Sequence, residues 1–188
     1  MLVALKHSTE NIGDDIQRIG LASILPEDTV WIDREDRNAL LALQPDDKLI
    51  VSGWFNKGRH HWYSDIKAQC LFVGFYIDSP IEMNATIGCR DTHTLGFYAN
   101  SWLSYCTSML LPPNGEARNG VVLCDLTEAH KARIPDDFVQ HATIVSHNNF
   151  TGDRDVAAKR LLDIYANAEL VITGRLHVLL PCLATVHL

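Results

Sequence analysis

The sequence predicts an α/β protein built from two Rossmann-like units with mostly parallel sheets. Short apolar runs rich in β-branched residues alternate with helical patterns, which is typical of βαβ units. The alternation breaks once, at the Pro- and Gly-containing segment 112–120, and then starts again. We therefore predict an N-terminal α/β domain over residues 1–111, a linker over 112–119 and a second α/β domain over 120–188.

The strands are predicted from apolar runs that polar or turn-forming residues bound on each side. In the first domain these runs cover 2–6, 29–33, 48–54, 71–76, 86–90 and 105–111. In the second domain they cover 120–126, 141–146 and 170–172. Apolar residues at helical spacing predict helices over 13–25, 92–101 and 153–168, a turn or short helix at 135–138, and a last helix that begins at Arg175-Leu176-His177.

Composition and charge argue against several classes of protein. The formal net charge of −7 and the lack of a Lys/Arg-rich run argue against a general nucleic-acid binder. No stretch approaches the roughly 20 apolar residues that a membrane span needs, and the first residues predict a strand rather than a signal peptide. Scattered cysteines without a Cys-x-x-Cys pair predict a reducing, cytoplasmic compartment with no disulfide framework. The spacing of the histidines does not support a metal site.

The most informative motif joins a strand to a helix near the end of the chain. The apolar run 170–172 gives way through a Thr-Gly turn to Arg175-Leu176-His177, where the last helix begins. In open α/β sheets ligands bind at the carboxyl ends of strands, and the start of a helix attracts anions. Because the guanidinium of Arg175 matches carboxylate or phosphate, the junction predicts a site for a small polyanion. On these residues alone, an ion-paired Arg175 beside a half-buried His177 is the favoured interpretation, and the functional interpretation depends on the rest of the chain.

Three motifs, in the same order along the chain, resemble those of the polysaccharide pyruvyl transferase family. Residues 11–14, Asn-Ile-Gly-Asp, match the family's early Asn-x-Gly-Asp motif, and residues 90–94, Arg-Asp-Thr-His-Thr, match its Arg-Asp-x-x-Ser/Thr motif. Residues 165–177 match the signature Tyr-x-x-Ala-x-x-Val-Ile-Thr-x-Arg-Leu-His nearly position by position. The last motif is the specific one, because short motifs alone often match by chance.

The resemblance implies that the chain is an enzyme of the transferase class. Such an enzyme moves an enolpyruvyl group from phosphoenolpyruvate to a sugar of a cell-surface polysaccharide and forms a pyruvate ketal. The resemblance also implies a saccharide acceptor on a lipid or nucleotide carrier, no cofactor, and a fold similar to GT-B glycosyltransferases, with the acceptor on the N-terminal side and the donor on the C-terminal side. Family members continue past Arg-Leu-His, so the second unit is expected to be incomplete here, as in a fragment or a natural truncation.

The resemblance assigns roles to residues of the second and third motifs. Arg175 and Arg90 are expected to hold the two anionic ends of phosphoenolpyruvate as charge-assisted pairs. The backbone N–H of Leu176, at the start of the last helix, is expected to add a fixed dipole. His177 is the candidate catalytic residue, because a side chain that titrates near neutral pH suits proton transfer.

The first motif and the alternatives complete the set of expectations. Asn11 and Gly13 are expected to form a turn that borders the acceptor site, and Asp14 is predicted to cap the first helix. An ion pair between Arg90 and Asp91 is an equally good interpretation of the second motif. Two other functions stay open: a nucleotide-sugar-dependent glycosyltransferase with a GT-B-like fold, and a non-catalytic truncated remnant. Stabilisation by phosphoenolpyruvate, by a nucleoside diphosphate or by neither distinguishes the three.

Overall fold

The computed structural model describes residues 1–7, 9–83, 85–114, 117–148 and 150–185. The chain divides into two compact units. Unit 1 comprises Met1–Ser8 and Ile24–Thr107, and unit 2 comprises Thr9–Ser23 and Ser108–Leu188. Each unit contains helices and a sheet whose described strand pairs are parallel, so the predicted α/β class with two parallel-sheet units is confirmed.

The units differ from the predicted domains at a place that matters for the site. The first strand, β1 (Leu2–Lys6), lies in unit 1, but the first helix, α1 (Gly13–Ala22), belongs to unit 2, where it packs against two later helices. The sequence suggests the opposite because consecutive elements are usually neighbours in space. The later change of unit, at Ser108, falls shortly before the segment 112–119 that is predicted as the linker.

Unit 1 contains a six-stranded parallel sheet. Besides β1 its strands are β2 (Val30–Asp33), β3 (Lys48–Phe55), β4 (Gln69–Ile77), β5 (Ile87–Cys89) and β6 (Ser101–Leu103), in the order β2-β1-β3-β4-β5-β6. Short helices lie between strands: α2 (Arg37–Leu41), α3 (Lys57–His60) and α4 (Thr92–Leu95). Each of these helices begins where an Asp or Asn side chain accepts a backbone N–H. The apolar runs form a core that includes Val3, Leu5, Leu49, Val51, Phe55 and Phe75.

Unit 2 contains a three-stranded parallel sheet. Its strands are β7 (Val121–Cys124), β8 (Thr143–Val145) and β9 (Leu170–Thr173), in the order β8-β7-β9. Cys124 pairs with Val145 on one side and Thr173 on the other, so the carboxyl ends of the three strands lie level. The later helices are α5 (Glu128–Lys131), α6 (Asp136–His141), α7 (Arg154–Asn167) and α8 (Leu176–Thr185). Helices α1, α7 and α8 pack on one another and share a core that includes Ile12, Ile16, Leu161, Tyr165 and Val178. None of the helices in the described ranges has the length and apolar character to cross a membrane.

The strand predicted over 105–111 is wrong. Tyr105 takes a positive φ of 59°, which strand residues do not adopt, and Thr107–Leu110 forms a short 3₁₀ helix. The apolar pattern has another cause, namely burial, since Cys106 is only 3% exposed. The helix predicted just before this segment is also shorter than expected, because α4 is a single turn and β6 follows it.

The conformation of a glycine inside β3 leads to a testable prediction about stability. Gly53 has a φ of +101°, and a Cβ atom placed on it would lie 2.7 Å from Cε1 of the buried His7 imidazole. Gly53→Ala should therefore lower the free energy of unfolding by roughly 2–5 kcal/mol, because backbone strain adds to the collision. Chemical denaturation measures this loss. The control is Gly96→Ala, whose Cβ would make an ordinary contact at 3.4 Å, and an equal loss in both variants would contradict the explanation.

Candidate functional site

The carboxyl ends of β7, β8 and β9 bring three polar residues together in unit 2. Asp125 follows β7, His147 follows β8 and Arg175 follows β9. Nε of Arg175 lies 2.8 Å from Oδ2 of Asp125, and the backbone N–H of His147 donates to the same oxygen over 3.0 Å. An ion pair and a histidine thus occupy the edge of the sheet at which open α/β proteins bind ligands.

Asp125 is a site residue that the motifs do not single out. Its φ of 50° lies in a region that few residues other than Gly, Asn and Asp adopt. Burial by itself would raise the pKa of this carboxyl. Hydrogen bonds from the Ser146 hydroxyl and the His147 N–H, together with the charge of Arg175, outweigh burial and hold the pKa of the carboxyl below its ordinary value. The signal in the sequence is a polar residue at the end of an apolar run, and Asp33, the last residue of β2, shows the same signal.

Arg175 lies where β9 passes into α8. Its backbone N–H donates to Oγ1 of Thr173 over 2.9 Å, and that hydroxyl donates to the carbonyl of Cys124 over 3.2 Å. Its own carbonyl accepts two N–H groups from the first turn of α8. The first N–H groups of a helix, here beginning with Leu176, have no partner within the helix. The Arg175 side chain is 30% exposed and carries four guanidinium donors besides Nε, a combination that suits an anion.

The first and last motifs of the chain meet in unit 2. His177 is the second residue of α8, and a Cβ atom placed on Gly13 would lie 2.7 Å from Nδ1 of His177. Oδ1 of Asn11 accepts the N–H of Gly13 over 3.0 Å, and the N–H of Ile12 donates to the carbonyl of His147 over 3.4 Å. The predicted domains place Asn11 and Gly13 on the acceptor side, whereas the structure places Gly13 against His177. That they border an acceptor stays a prediction.

Asp14 does not cap α1, so that prediction is wrong. The residue lies inside the helix, where its carboxylate accepts the Thr9 hydroxyl over 2.6 Å and the side-chain amide of Gln17 over 3.1 Å. The residue at the cap position is Ile12, whose apolar side chain is fully buried. The helix begins at Gly13, as the sequence predicts, and the Asn11 side chain accepts the N–H of this first residue.

A buried polar network lies next to the site. His147 is fully buried, its Nε2 lies 2.9 Å from Oη of Tyr165, and this hydroxyl lies 3.4 Å from Sγ of Cys124. Burial lowers the pKa of His147 to about 4, an effect that Asp125 opposes and Arg175 reinforces. His147 is therefore neutral at pH 7. Tyr165, the first residue of the signature motif, is 1% exposed and serves the packing of unit 2.

The buried His147 makes stability depend on pH in the acidic range. Its pKa in the folded chain, about 4, lies below its ordinary value of 6.5, so the unfolded chain takes up the proton first as the pH falls. Protonation of His147 in the unfolded chain should therefore lower the free energy of unfolding by roughly 3 kcal/mol as the pH falls from 6.5 to 4. Denaturation of His147→Gln, which does not titrate, should lack this part of the pH dependence, whereas the exposed control His141→Gln should keep it. An unchanged dependence in His147→Gln would contradict the assignment.

Arg90 lies in unit 1 and therefore in a different unit from Arg175. It follows β5, its guanidinium carbon lies 4.5 Å from the centroid of the Tyr76 ring, and its Nε lies 3.9 Å from Oδ2 of Asp91. Asp91 also accepts the N–H of Thr94 in α4. The interpretation of Arg90 as an ion-pair partner of Asp91 has a structural basis, although a pair at this distance contributes little. A joint role of Arg90 and Arg175 in binding a donor stays a prediction.

Two further observations bear on function. A groove of about 620 Å³ between β8 and α7 is lined by apolar side chains such as Ile144 and Val156 and contains none of the predicted site residues. Within the part of the chain that the structure describes, no group of three or more His, Cys, Asp or Glu side chains is placed to hold a metal ion.

Comparison with protein-family models, curated proteins and solved structures found no match for this chain, so the arrangement of side chains in unit 2 is the basis for assigning a function.

Proposed function

We propose that this chain is a pyruvyl transferase that uses phosphoenolpyruvate and forms a pyruvate ketal on a sugar of a cell-surface polysaccharide. The observation that supports the proposal most is the meeting of two distant motifs in unit 2, where Gly13 contacts His177 two residues after Arg175. An arginine at a strand–helix junction suggests only an anion. A histidine two residues later, held against Gly13, adds a group that can move a proton.

The donor side of the site suits a small molecule with two anionic groups. Phosphoenolpyruvate carries a carboxylate and a phosphate, so its binding needs positive charge and oriented N–H donors. Arg175 supplies the charge, and its ion pair with Asp125 holds the guanidinium in one orientation. The N–H of Leu176 and the start of the ten-residue α8 supply dipoles that favour an anion.

The reaction moves two protons and requires no oxidant or reductant. A proton adds to C3 of phosphoenolpyruvate, a sugar hydroxyl attacks C2, phosphate leaves with the electron pair of its C–O bond, and a second hydroxyl of the same sugar closes the ketal. Of the two protons that the hydroxyls lose, one balances the proton taken up at C3 and the other leaves with phosphate. His177 is the proposed acid and base, because imidazole gives and takes a proton near neutral pH.

A thermal-shift titration of this chain tests the proposal. Phosphoenolpyruvate should raise the melting temperature in a saturable way, since a ligand that binds only the native state stabilises it by about 2.7 kcal/mol at about 100 times its Kd. Pyruvate and inorganic phosphate, which each carry one of the two anionic groups, should have much smaller effects. Stabilisation by a nucleoside diphosphate but not by phosphoenolpyruvate would indicate a nucleotide-sugar-dependent glycosyltransferase instead. Stabilisation by none of these ligands would indicate a non-catalytic remnant.

A further inference from the structure

We propose that Asn11 and Gly13 are positioning residues that hold the imidazole of His177 in one orientation, an arrangement that we call the imidazole seat. The turn before α1 then serves the same site as the last motif of the chain, although more than 150 residues of sequence separate them. This seat is a property of unit 2 itself. Its consequence for turnover rests on the pyruvyl transfer proposed above.

Gly13 is the point of contact between the turn and the histidine. A Cβ atom built on Gly13 would lie 2.7 Å from Nδ1 and 2.9 Å from the Cβ of His177, whereas non-bonded heavy atoms pack best at about 3.5–4.0 Å. Any larger residue would therefore push the imidazole out of its place. The positions of Nδ1 and Cβ set the direction of the His177 ring. Because Gly13 has no side chain, it leaves the space that these two atoms need and so fixes that direction.

The turn is held firmly enough to act as a support. Oδ1 of Asn11 accepts the N–H of Gly13 over 3.0 Å, and its backbone carbonyl accepts the N–H of Asp14 over 3.2 Å. The side chain of Ile12 is fully buried, and its N–H donates to the carbonyl of His147 over 3.4 Å. A side chain whose supporting contacts are themselves fixed keeps the geometry that proton transfer requires.

The seat should matter for turnover more than for donor binding. A group that transfers a proton must lie within about 2.6–3.2 Å of its partner, and a displacement of about 1 Å can reduce the rate by about 10²-fold. Binding of phosphoenolpyruvate depends on Arg175 and the start of α8, and the ring of His177 is not needed for it. A change at Gly13 should therefore separate the two properties.

The first test compares Gly13→Ala with Gly96→Ala, because a Cβ atom on Gly96 would make only an ordinary contact at 3.4 Å and Gly96 lies in unit 1, outside the proposed site. Phosphate release from phosphoenolpyruvate, with methyl hexopyranosides as acceptors, should fall about 100-fold in Gly13→Ala, while the Kd for phosphoenolpyruvate stays within about threefold of wild type. Gly96→Ala should change neither quantity. Unchanged turnover in Gly13→Ala, or a loss of donor affinity as large as the loss of turnover, would overturn the proposal.

A second measurement does not depend on turnover. The ring signals of His177 in the NMR spectrum, assigned with the help of His177→Gln, should shift in both Gly13→Ala and Asn11→Ala but stay in place in Gly96→Ala. Should Gly13→Ala fail to fold, Asn11→Ala gives the same comparison, because it removes only the side chain that accepts the Gly13 N–H. If the wild type releases no phosphate, pyruvyl transfer is wrong and the ring signals still test the seat. Ring signals that stay unchanged in the variants would overturn the seat even in an active protein.

Discussion

Arg175→Ala should abolish the binding of phosphoenolpyruvate. The guanidinium presents a positive charge at the sheet edge of unit 2, beside the start of α8, and Asp125 holds it there at 2.8 Å. Loss of a fixed charged partner costs roughly 2–5 kcal/mol of binding free energy, which weakens binding by about 30-fold or more. Isothermal titration calorimetry with wild type and variant measures the difference.

Control variants separate this loss from effects on folding and net charge. Arg175→Ala leaves the Asp125 carboxylate without its ion-pair partner, so the double variant Arg175→Ala/Asp125→Asn, which removes both charges, should fold at least as well and still not bind. Arg175→Lys should recover little affinity, because an ammonium group lacks the planar fork of donors. Arg133 is an exposed arginine of the same unit, and Arg133→Ala should bind as wild type does. Wild-type affinity in Arg175→Ala or Arg175→Lys would show that the anion binds elsewhere.

His177→Gln should lower turnover by about 10²–10⁴-fold and leave donor affinity nearly unchanged. A group that moves a proton acts in the transition state, whereas Arg175 pairs with the negative charge of the bound phosphoenolpyruvate. The pH profile of phosphate release should contain a limb, that is, a rise or fall in rate with pH, that depends on the protonation of His177. This limb should vanish in the variant. Steady-state kinetics with phosphoenolpyruvate and methyl hexopyranosides measures both properties.

Two other histidines of unit 2 serve as controls for this effect. His141 ends α6 and is exposed, so His141→Gln should keep both turnover and the pH limb. His147 is fully buried, so His147→Gln should change stability at acidic pH but keep the limb. If His177→Gln lost donor binding and kept turnover at saturating donor, His177 would be a binding residue and another group would supply the proton.

Most of the fold could be predicted because the signals for its strands are local. Strands such as β1 and β7 are runs of consecutive apolar residues, since a parallel sheet covered on both faces buries successive side chains. The same signal failed at 105–111, where burial produced an apolar run in a segment that the positive φ of Tyr105 prevents from forming a strand. An apolar run therefore indicates burial first and strand pairing only second.

Only those parts of the site that depend on neighbouring residues in the sequence could be predicted. Arg175 and His177 lie at the strand–helix junction where the pattern places them, because a strand, a turn and a helix are adjacent in the chain. Asp125 lies opposite Arg175 because β7 pairs with β9, and Gly13 reaches His177 because α1 belongs to unit 2. Both contacts depend on the register and topology of elements far apart in the sequence, which local patterns do not encode.

An NMR titration of isotope-labelled protein with phosphoenolpyruvate tests most directly whether the anion binds at the start of α8. If it does, the backbone amide of Leu176 and the Nε–H of Arg175 should shift first, and both should saturate at the concentration that saturates the rise in melting temperature. Pyruvate at the same concentration should give much smaller shifts at these two positions. Shifts confined to other residues, or equal shifts with pyruvate and phosphoenolpyruvate, would contradict the assignment of this site.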